Sequence, residues 1–289
     1  MNPKLYNFCK DSNSYKTVFP ILFATLYVSL LFGSLGFKSL ASTTTSEEFA
    51  EVKSKDIKAK EITVKAGSCQ VLRANKERLY FDIYWLGIYA GNAVLEAVND
   101  KGTLKITSRA QSASLISAFY KVEDYAESLI IQGRATHFRI KQREGRYRSD
   151  KETIFDVNSK KIKYFDYLKN KKKDHMMEGL VWDVISGFYY LRTQPFVVGK
   201  TIYIDVFDSN KLLKAEVSVL RKEKIKVYGK GEVSAVVVKP DLKSEGLFHR
   251  QGDILMWLTD DESRIPVRIE TKVPIGKVVA ELKNSEIEN

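Results

Sequence analysis

The sequence predicts a mainly β fold: one large curved antiparallel sheet, half-open and barrel-like, with one main helix packed on its concave side. Three observations support this fold class. Runs that alternate apolar and polar residues follow one another from residue 77 to residue 282, as half-buried strands do. The chain has 15 Tyr and 15 Phe, which favour strands over helical bundles. One long segment, 178–192, carries an apolar stripe at helical spacing.

Residues 1–41 have the composition of an export signal. Lysines precede an uncharged run over 17–37, and small residues follow it at the spacing of a cleavage site. Because the run is also long enough to span a bilayer, we interpret it as a signal peptide or an uncleaved N-terminal membrane anchor. Both alternatives place the rest of the chain outside the cytoplasmic membrane. We therefore expect an exported, periplasmic protein, with or without a tether to the inner membrane.

The remaining chain divides into three parts by composition. Residues 42–76 are polar and form a predicted linker, with a short strand at 62–64. Residues 77–283 form the β-rich domain, and residues 284–289 are a tail. The formal net charge of +11 suits anionic surfaces such as phospholipid head groups. Cys9 lies in the export segment, so Cys69 is left without an internal disulfide partner. Nucleic acid is not expected as a partner of an exported chain.

The first half of the domain reads as a series of hairpins. Turn signals such as Asn99–Gly102 and Arg143–Gly145 separate its strand-like runs. A short helix over 114–120 is predicted to cross one end of the sheet. A lysine-rich stretch, 169–175, is predicted to be a charged loop. The predicted strands are 79–85, 92–98, 104–110, 124–131, 135–142, 146–157 and 161–167.

The second half begins with the main predicted helix, 178–192, which ends before Pro195. Strands are predicted over 201–208, 211–220, 224–227 and 231–239. A three-strand antiparallel meander follows, over 254–258, 265–273 and 277–282. In its middle strand Ile265, Val267 and Ile269 fall on one side, so that side is expected to face the core.

Five segments carry a resemblance to a known family. They resemble, in the same order, the DUF3108 family of exported bacterial proteins, and the resemblance covers roughly residues 77 to 282. The resemblance implies an exported β-rich domain with no assigned activity and no known catalytic residues. It also implies an architecture similar to the curved half-open sheet plus helix of periplasmic lipid or lipoprotein carriers, by analogy of fold. The segments are FDIYWLGIYAGNAVLEA (81–97), RSDKETIFD (148–156), ISGFYYLRT (185–193), VGKTIYIDVFDSNK (198–211) and EGLFHRQGDILMWLTDDESRIPVRIETKVPIGKV (245–278).

The sequence contains no recognisable catalytic or metal-binding motif. His137, His175 and His249 are isolated, without the spacing of a metal site. No G-x-S-x-G elbow is present. The carboxylate pairs Asp260–Asp261 and Asp253–Glu270 are interpreted as turn and strand residues. We predict no catalytic, cofactor-binding or metal-binding residues, so a hydrolase would need a carboxylate pair or a polarised Ser that folding brings together from distant positions.

The predicted function is non-enzymatic binding of an apolar or lipid-like ligand in the cavity of the curved sheet. A filled core is the alternative interpretation of the same apolar residues. For the basic cluster from Arg139 to Arg148, the alternative to head-group binding is a strand face balanced by Glu144, Asp150 and Glu152. The predicted ligand-binding residues are Phe81, Trp85, Phe119, Trp182, Phe188, Tyr189, Trp257, Arg139, Arg146, Arg148 and Arg268.

Two other functions stay open at this point. An envelope assembly or scaffolding protein would act through protein–protein contacts at exposed strand edges, with another envelope protein as its partner. A hydrolase is the third possibility. A membrane surface is a further expected partner, since the chain is basic and exported.

Overall fold

The computed structural model describes residues 71–243, 254–273 and 276–289. Within these residues, 14 strands form one sheet in the order β8-β7-β6-β5-β4-β3-β2-β1-β14-β13-β12-β11-β10-β9. All neighbouring strands run antiparallel. The sheet is not closed into a barrel, and the predicted fold class is confirmed.

The strands of the first half are β1 (Lys76–Trp85), β2 (Ile88–Asp100), β3 (Thr103–Ser112), β4 (Glu123–Ile131), β5 (Arg134–Glu144), β6 (Tyr147–Asp156), β7 (Lys161–Asp166) and β8 (Lys171–Met176). Those of the second half are β9 (Thr201–Asp208), β10 (Lys211–Val227), β11 (Gly231–Lys243), β12 (Ile254–Thr259), β13 (Pro266–Val273) and β14 (Gly276–Glu288). The helices are α1 (Ser114–Ser117) and α2 (Val184–Arg192).

Two meanders meet at the pairing of β1 with β14. From β1 the chain adds strands one after another to β8, and from β14 the sheet runs back through the earlier strands to β9. The register puts Ile83 opposite Ala280, so both apolar side chains face the same side. Alternate residues of β1, Leu79, Phe81 and Ile83, are buried. The predicted meander at the C-terminal end is confirmed as β12, β13 and β14.

Helix α2 lies on the concave side of the sheet and packs against β4 and β9. It begins at Val184 rather than at the predicted residue 178, because Asp183 caps it. The Asp183 carboxylate accepts hydrogen bonds from the backbone N–H groups of Ile185 and Ser186, which have no partner in the first turn of a helix. The Ser128 hydroxyl donates to the same carboxylate at 2.6 Å. A strand residue therefore fixes the start of the helix.

The end of α2 is anchored by a buried ion pair. The Arg192 guanidinium donates to both carboxylate oxygens of Glu77, at 2.7 and 2.6 Å. Arg192 also donates to the Ser263 carbonyl oxygen, and the Tyr189 hydroxyl donates to Glu77 at 3.0 Å. A buried charge pair needs these additional hydrogen bonds to offset its loss of hydration. The helix is therefore held at both ends by polar groups inside an apolar shell.

The two edge strands, β8 and β9, face each other across a seam without backbone pairing. Trp182 covers part of the β9 edge through its backbone. Its backbone N–H donates to the Asp205 carbonyl, and its carbonyl accepts from the Phe207 backbone N–H. Across the seam, His175 Nε2 lies 2.7 Å from Asn210 Oδ1, and the His175 ring contacts Phe207 edge-on at 5.0 Å. The sheet thus curls until its edges meet through side chains.

Several predicted element boundaries are wrong. The charged loop at 169–175 is mostly the edge strand β8, where lysines are tolerated because an edge is solvated and charge discourages pairing with other chains. Helix α1 is one turn, and the strands predicted at 211–220 and 224–227 are the single strand β10. The predicted export segment, the short strand at 62–64, Cys69 and His249 lie outside the described residues. In the described part of the chain, no helix is both long and apolar enough to cross a bilayer.

Candidate functional site

Exposed apolar side chains gather at the end of the sheet that carries the β1–β2 and β3–β4 connections. We name them the apolar rim: Leu86, Ile88, Tyr89, Leu115 and Phe119. The exposed fractions of Leu115 and Phe119 are 65% and 66%. The α1 segment lies beside the start of β2, because the N–H of Ala113 donates to the Ala90 carbonyl at 2.8 Å. An exposed group of this kind at one end of a molecule is typical of an interaction surface.

Basic residues adjoin the rim through the β5–β6 turn. The turn contacts the segment between α1 and β4, because the Gly145 N–H donates to the Lys121 carbonyl at 2.8 Å. Gly145 has φ +53, and a Cβ there would lie 2.6 Å from the Tyr120 ring, so only glycine lets that ring pack on the turn. Arg146, in this turn, and Arg148, near the start of β6, are both exposed. The Arg148 guanidinium is held beside it by donating to the Gly145 and Tyr147 carbonyls.

Behind this turn lies a carboxyl pair, formed by the half-buried Asp124 and the buried Glu144. A hydrogen bond joins the two side chains. The Gln142 amide donates to Glu144 at 3.1 Å, and the Arg143 N–H donates to Asp124 at 3.0 Å. Burial, together with the neighbouring Asp124 carboxylate, raises the pKa of Glu144 to about 10, and burial also raises the pKa of Asp124. The pair therefore holds one proton at neutral pH, because two carboxylates in contact cannot both ionise.

A second polar cluster lies at the seam, in a small cavity that we name the seam cavity. Its volume is about 10 Å³, which is room for roughly one water molecule. Lys151 and Asp208 face it, with exposed fractions of 6% and 4%. Burial lowers the pKa of Lys151 to about 8 and raises the pKa of Asp208 to about 7. The lining residues are Phe138, Ile140, Lys151, Thr153, Tyr164, Phe207, Asp208 and Ser209.

Most of the predicted aromatic ligand-binding residues are part of the core. Trp85 is partly buried, and Phe119 alone of the seven is largely exposed. Because α2 occupies the concave side, the buried rings pack against the helix and the sheet rather than around an open space. Trp182, for example, stacks on Tyr190 at 4.8 Å. The buried members of the predicted set are Phe81, Trp182, Phe188, Tyr189 and Trp257.

The predicted arginines fall into two groups. Arg139 pairs with Asp150 at 2.7 Å and lies over the Tyr167 ring at 4.3 Å. Arg268 pairs with Glu270 and Glu281, and it lies 5.7 Å from the Trp257 ring centre. The charges of these two arginines are balanced by acidic residues on neighbouring strand positions. For Arg139 this agrees with the alternative interpretation, a strand face balanced by acidic residues. Arg146 and Arg148 instead are exposed at the β5–β6 turn and the start of β6, where the turn packs on Tyr120, the residue after Phe119.

Four titratable groups that the fold brings together were not predicted as site residues from the sequence. Asp124 begins a predicted strand, and Glu144 lies just beyond the predicted partner strand. Lys151 and Asp208 lie inside predicted strands, on the side that carries Phe155 and Val206 respectively. A charged residue on the inward side of a strand was the available signal. Among residues 71–243, 254–273 and 276–289, no three His, Cys, Asp or Glu side chains are grouped as metal ligands would be.

Comparisons with known proteins support the fold. The family model described as a protein of unknown function (DUF3108) matches residues 80–283. A crystal structure of a β-barrel-like protein of domain of unknown function DUF1849 from Brucella abortus is similar, with a TM-score of 0.52 and 12% identity. That likeness covers 75% of this chain and 100% of the other. No curated protein matches the sequence.

Proposed function

We propose that this chain, which belongs to the DUF3108 family, is a non-enzymatic cell-envelope protein that binds an anionic, lipid-like ligand at the apolar rim. The observation that carries the proposal is the exposure of Leu115 and Phe119 on the segment whose next residues, 120 and 121, contact the turn that carries the exposed Arg146. Apolar side chains flanked by arginines complement a molecule that has acyl chains and an anionic head group. The filled concave side leaves the rim as the better place for such a ligand.

The rim residues are sufficient for weak, reversible binding. Complete burial of a Leu, Ile or Phe side chain contributes about 1.5–3 kcal/mol. Each arginine near an anionic lipid surface contributes about 1 kcal/mol. Leu115, Phe119, Arg146 and Arg148 together therefore favour association by several kcal/mol, before the cost of immobilising the protein is subtracted.

Vesicle sedimentation tests the proposal. The protein should sediment with vesicles of phosphatidylglycerol and phosphatidylcholine, and far less with phosphatidylcholine alone. The double variant Leu115→Ser/Phe119→Ser should lower the partition coefficient at least about tenfold, since it removes roughly 3–6 kcal/mol of apolar burial in part or in full. Arg146→Gln/Arg148→Gln should lower it only for anionic vesicles, with the difference vanishing at high salt.

A matched control is available at the opposite end of the sheet. Tyr228 has an exposed fraction of 75% in the β10–β11 turn, and Tyr228→Ser should leave vesicle binding unchanged. Equal binding by the control and the rim variants, or no preference for anionic vesicles, would contradict the proposal. Loss of binding to one defined envelope protein in the rim variants, without vesicle binding in the parent, would instead favour an assembly protein.

The proposal expects the rim to lie outside the cytoplasm, because residues 1–41 are predicted to be an export signal or membrane anchor. Its test is a fusion of residues 1–76 to alkaline phosphatase, an enzyme that is active only outside the bacterial cytoplasm. Active fusion protein would support export, and an inactive fusion that accumulates in the cytoplasm would contradict it. The size of the mature chain distinguishes a cleaved signal from an uncleaved anchor.

A further inference from the structure

The strand β8 leaves one of its two edges open. It stands at one end of the strand order and pairs with β7 alone. At the other end of that order, the edge of β9 is covered in part by Trp182, which pairs with Val206. In the described part of the chain no residue pairs with β8 on its outer side, and the side chains of residues 171–174 are all exposed. The open edge is therefore accessible over most of its length.

The alternation of an antiparallel ladder shows which backbone groups point outward. The Met177 N–H donates to the Lys160 carbonyl at 2.9 Å, so these two residues form a hydrogen-bonded pair. Because such pairs alternate with pairs that share no hydrogen bond, every second residue of β8 turns its N–H and C=O groups away from β7. These residues are Lys172, Asp174 and Met176. Among the described residues none of their backbone groups has a hydrogen-bond partner, so they form a template for a further strand.

Three consecutive lysines determine which strand the edge accepts. Lys171, Lys172 and Lys173 are exposed, and none of them forms an ion pair with a described carboxylate. Successive side chains of a strand point to opposite faces, so lysines lie on both faces of this edge. Lysines discourage an ordinary strand from pairing, whereas an acidic strand gains from each of them. The edge therefore selects its partner by charge.

We propose that the open edge of β8 binds an extended acidic peptide segment of a partner protein, which adds to the sheet as a further strand. Backbone hydrogen bonds give such a complex its affinity, and side chains give it specificity. The segment matches the six residues of β8 and carries Asp or Glu on both of its faces. A lipid head group meets only the lysines, whereas an extended peptide meets both the lysines and the outward backbone groups. The site uses none of the apolar rim residues, so it can be tested independently of lipid binding.

Fluorescence anisotropy with the whole chain tests the peptide side of the complex. The probe is a fluorescein-labelled peptide, Glu-Val-Glu-Glu-Val-Glu, in which each face of the extended chain carries two carboxylates. A copy with Lys in place of each Glu should bind at least about tenfold more weakly, because its charges repel those of the edge. A second copy, methylated on every backbone nitrogen, keeps the charge and cannot donate backbone hydrogen bonds. It should also bind at least about tenfold more weakly.

Two variants at one position test the backbone of β8. Asp174→Pro and Asp174→Ala remove the same carboxylate, but only proline also removes the outward N–H. Proline is tolerated where the N–H of an edge strand faces solvent, so the ladder with β7 should survive. The proline variant should bind the acidic peptide at least about fivefold more weakly than the alanine variant, since it loses a hydrogen bond and its ring obstructs the added strand.

A reversal of charge tests the lysines. The triple variant Lys171→Glu/Lys172→Glu/Lys173→Glu should lose the acidic peptide and bind the lysine peptide, and this exchange also shows that the variant is folded. Equal affinities for the plain and the methylated acidic peptides would overturn the proposal. So would equal affinities of folded proline and alanine variants, or no binding by the parent at about 1 mM peptide. Binding to phosphatidylglycerol vesicles that is lost in the triple variant, with no effect of peptide methylation, would identify a lipid surface instead and would likewise contradict strand addition.

Discussion

Replacing Glu144 by glutamine should make the protein more stable at alkaline pH. The raised pKa of Glu144 means that the folded protein holds a proton that the unfolded chain releases above about pH 4.3. This contribution to stability is complete below the pKa of the unfolded state and is lost as the pH rises towards the folded pKa of about 10. Glutamine has the shape of the protonated group and cannot release that proton, so the variant should not lose stability in this way.

The size of the effect follows from the single proton held by the pair. One proton bound in the folded state and not in the unfolded state gives a slope of about 1.4 kcal/mol per pH unit at most. Between pH 5 and pH 8 the parent should lose up to about 4 kcal/mol relative to Glu144→Gln. The glutamine oxygen can still accept the hydrogen bond from Gln142, and its NH₂ group can donate to Asp124.

Urea denaturation from pH 5 to pH 8 measures this difference. The control is Glu123→Gln, at the start of β4, the strand that carries Asp124, where an exposed carboxylate pairs with Lys121 at 2.7 Å. Removing that surface pair should change the free energy of unfolding by less than about 1 kcal/mol at every pH. If the curves for Glu144→Gln and the parent run parallel across this range, the two carboxyl groups do not hold a shared proton.

The remaining predictions concern the interior of the fold. Arg192→Met should lower the free energy of unfolding by about 3–5 kcal/mol, because it leaves the Glu77 carboxylate buried without its partner. The double variant with Glu77→Met should recover most of that loss, and a double-mutant cycle in urea measures it; equal losses in the single and double variants would refute the reasoning. Asp183→Ala should cost at least about 2 kcal/mol, since two backbone donors of α2 and a strand hydroxyl lose their acceptor; thermal unfolding checks it, and an unchanged Tm would contradict the capping role. Gly91→Ala should cost at least about 2 kcal/mol, because the added Cβ would lie 2.2 Å from the Gln111 carbonyl oxygen and the paired strands would have to separate. A stable Gly91→Ala protein with unchanged amide exchange in β2 and β3 would refute that close approach.

The strands were predictable because a half-buried strand repeats every two residues and each turn carries a local signal. Leu79, Phe81 and Ile83 show this, and so does the meander from β12 to β14. The start of α2 was not predictable from its apolar stripe. The stripe extends back to Leu180, but the Asp183 cap and the pairing of Trp182 with β9 set the boundary. The Trp182 pairing depends on a distant strand, whereas the capping box of Asp183 with Ser186 is a local signal that the apolar stripe alone does not contain.

The buried polar residues were not predicted for a different reason. Strand register follows from local sequence, whereas the curl of the whole sheet does not. Lys151 lies directly opposite Asp166 in the β6–β7 ladder. A predicted β6–β7 hairpin whose alternate residues face inward would therefore have placed these two side chains together. Asp208 comes from the far edge of the sheet, and no ladder of hydrogen bonds connects β9 to β6. Its approach to Lys151 depends on the twist summed over every strand between them, which local sequence does not determine. Asp124 and Glu144, by contrast, lie on the neighbouring strands β4 and β5, so their meeting depends on a single pair of strands.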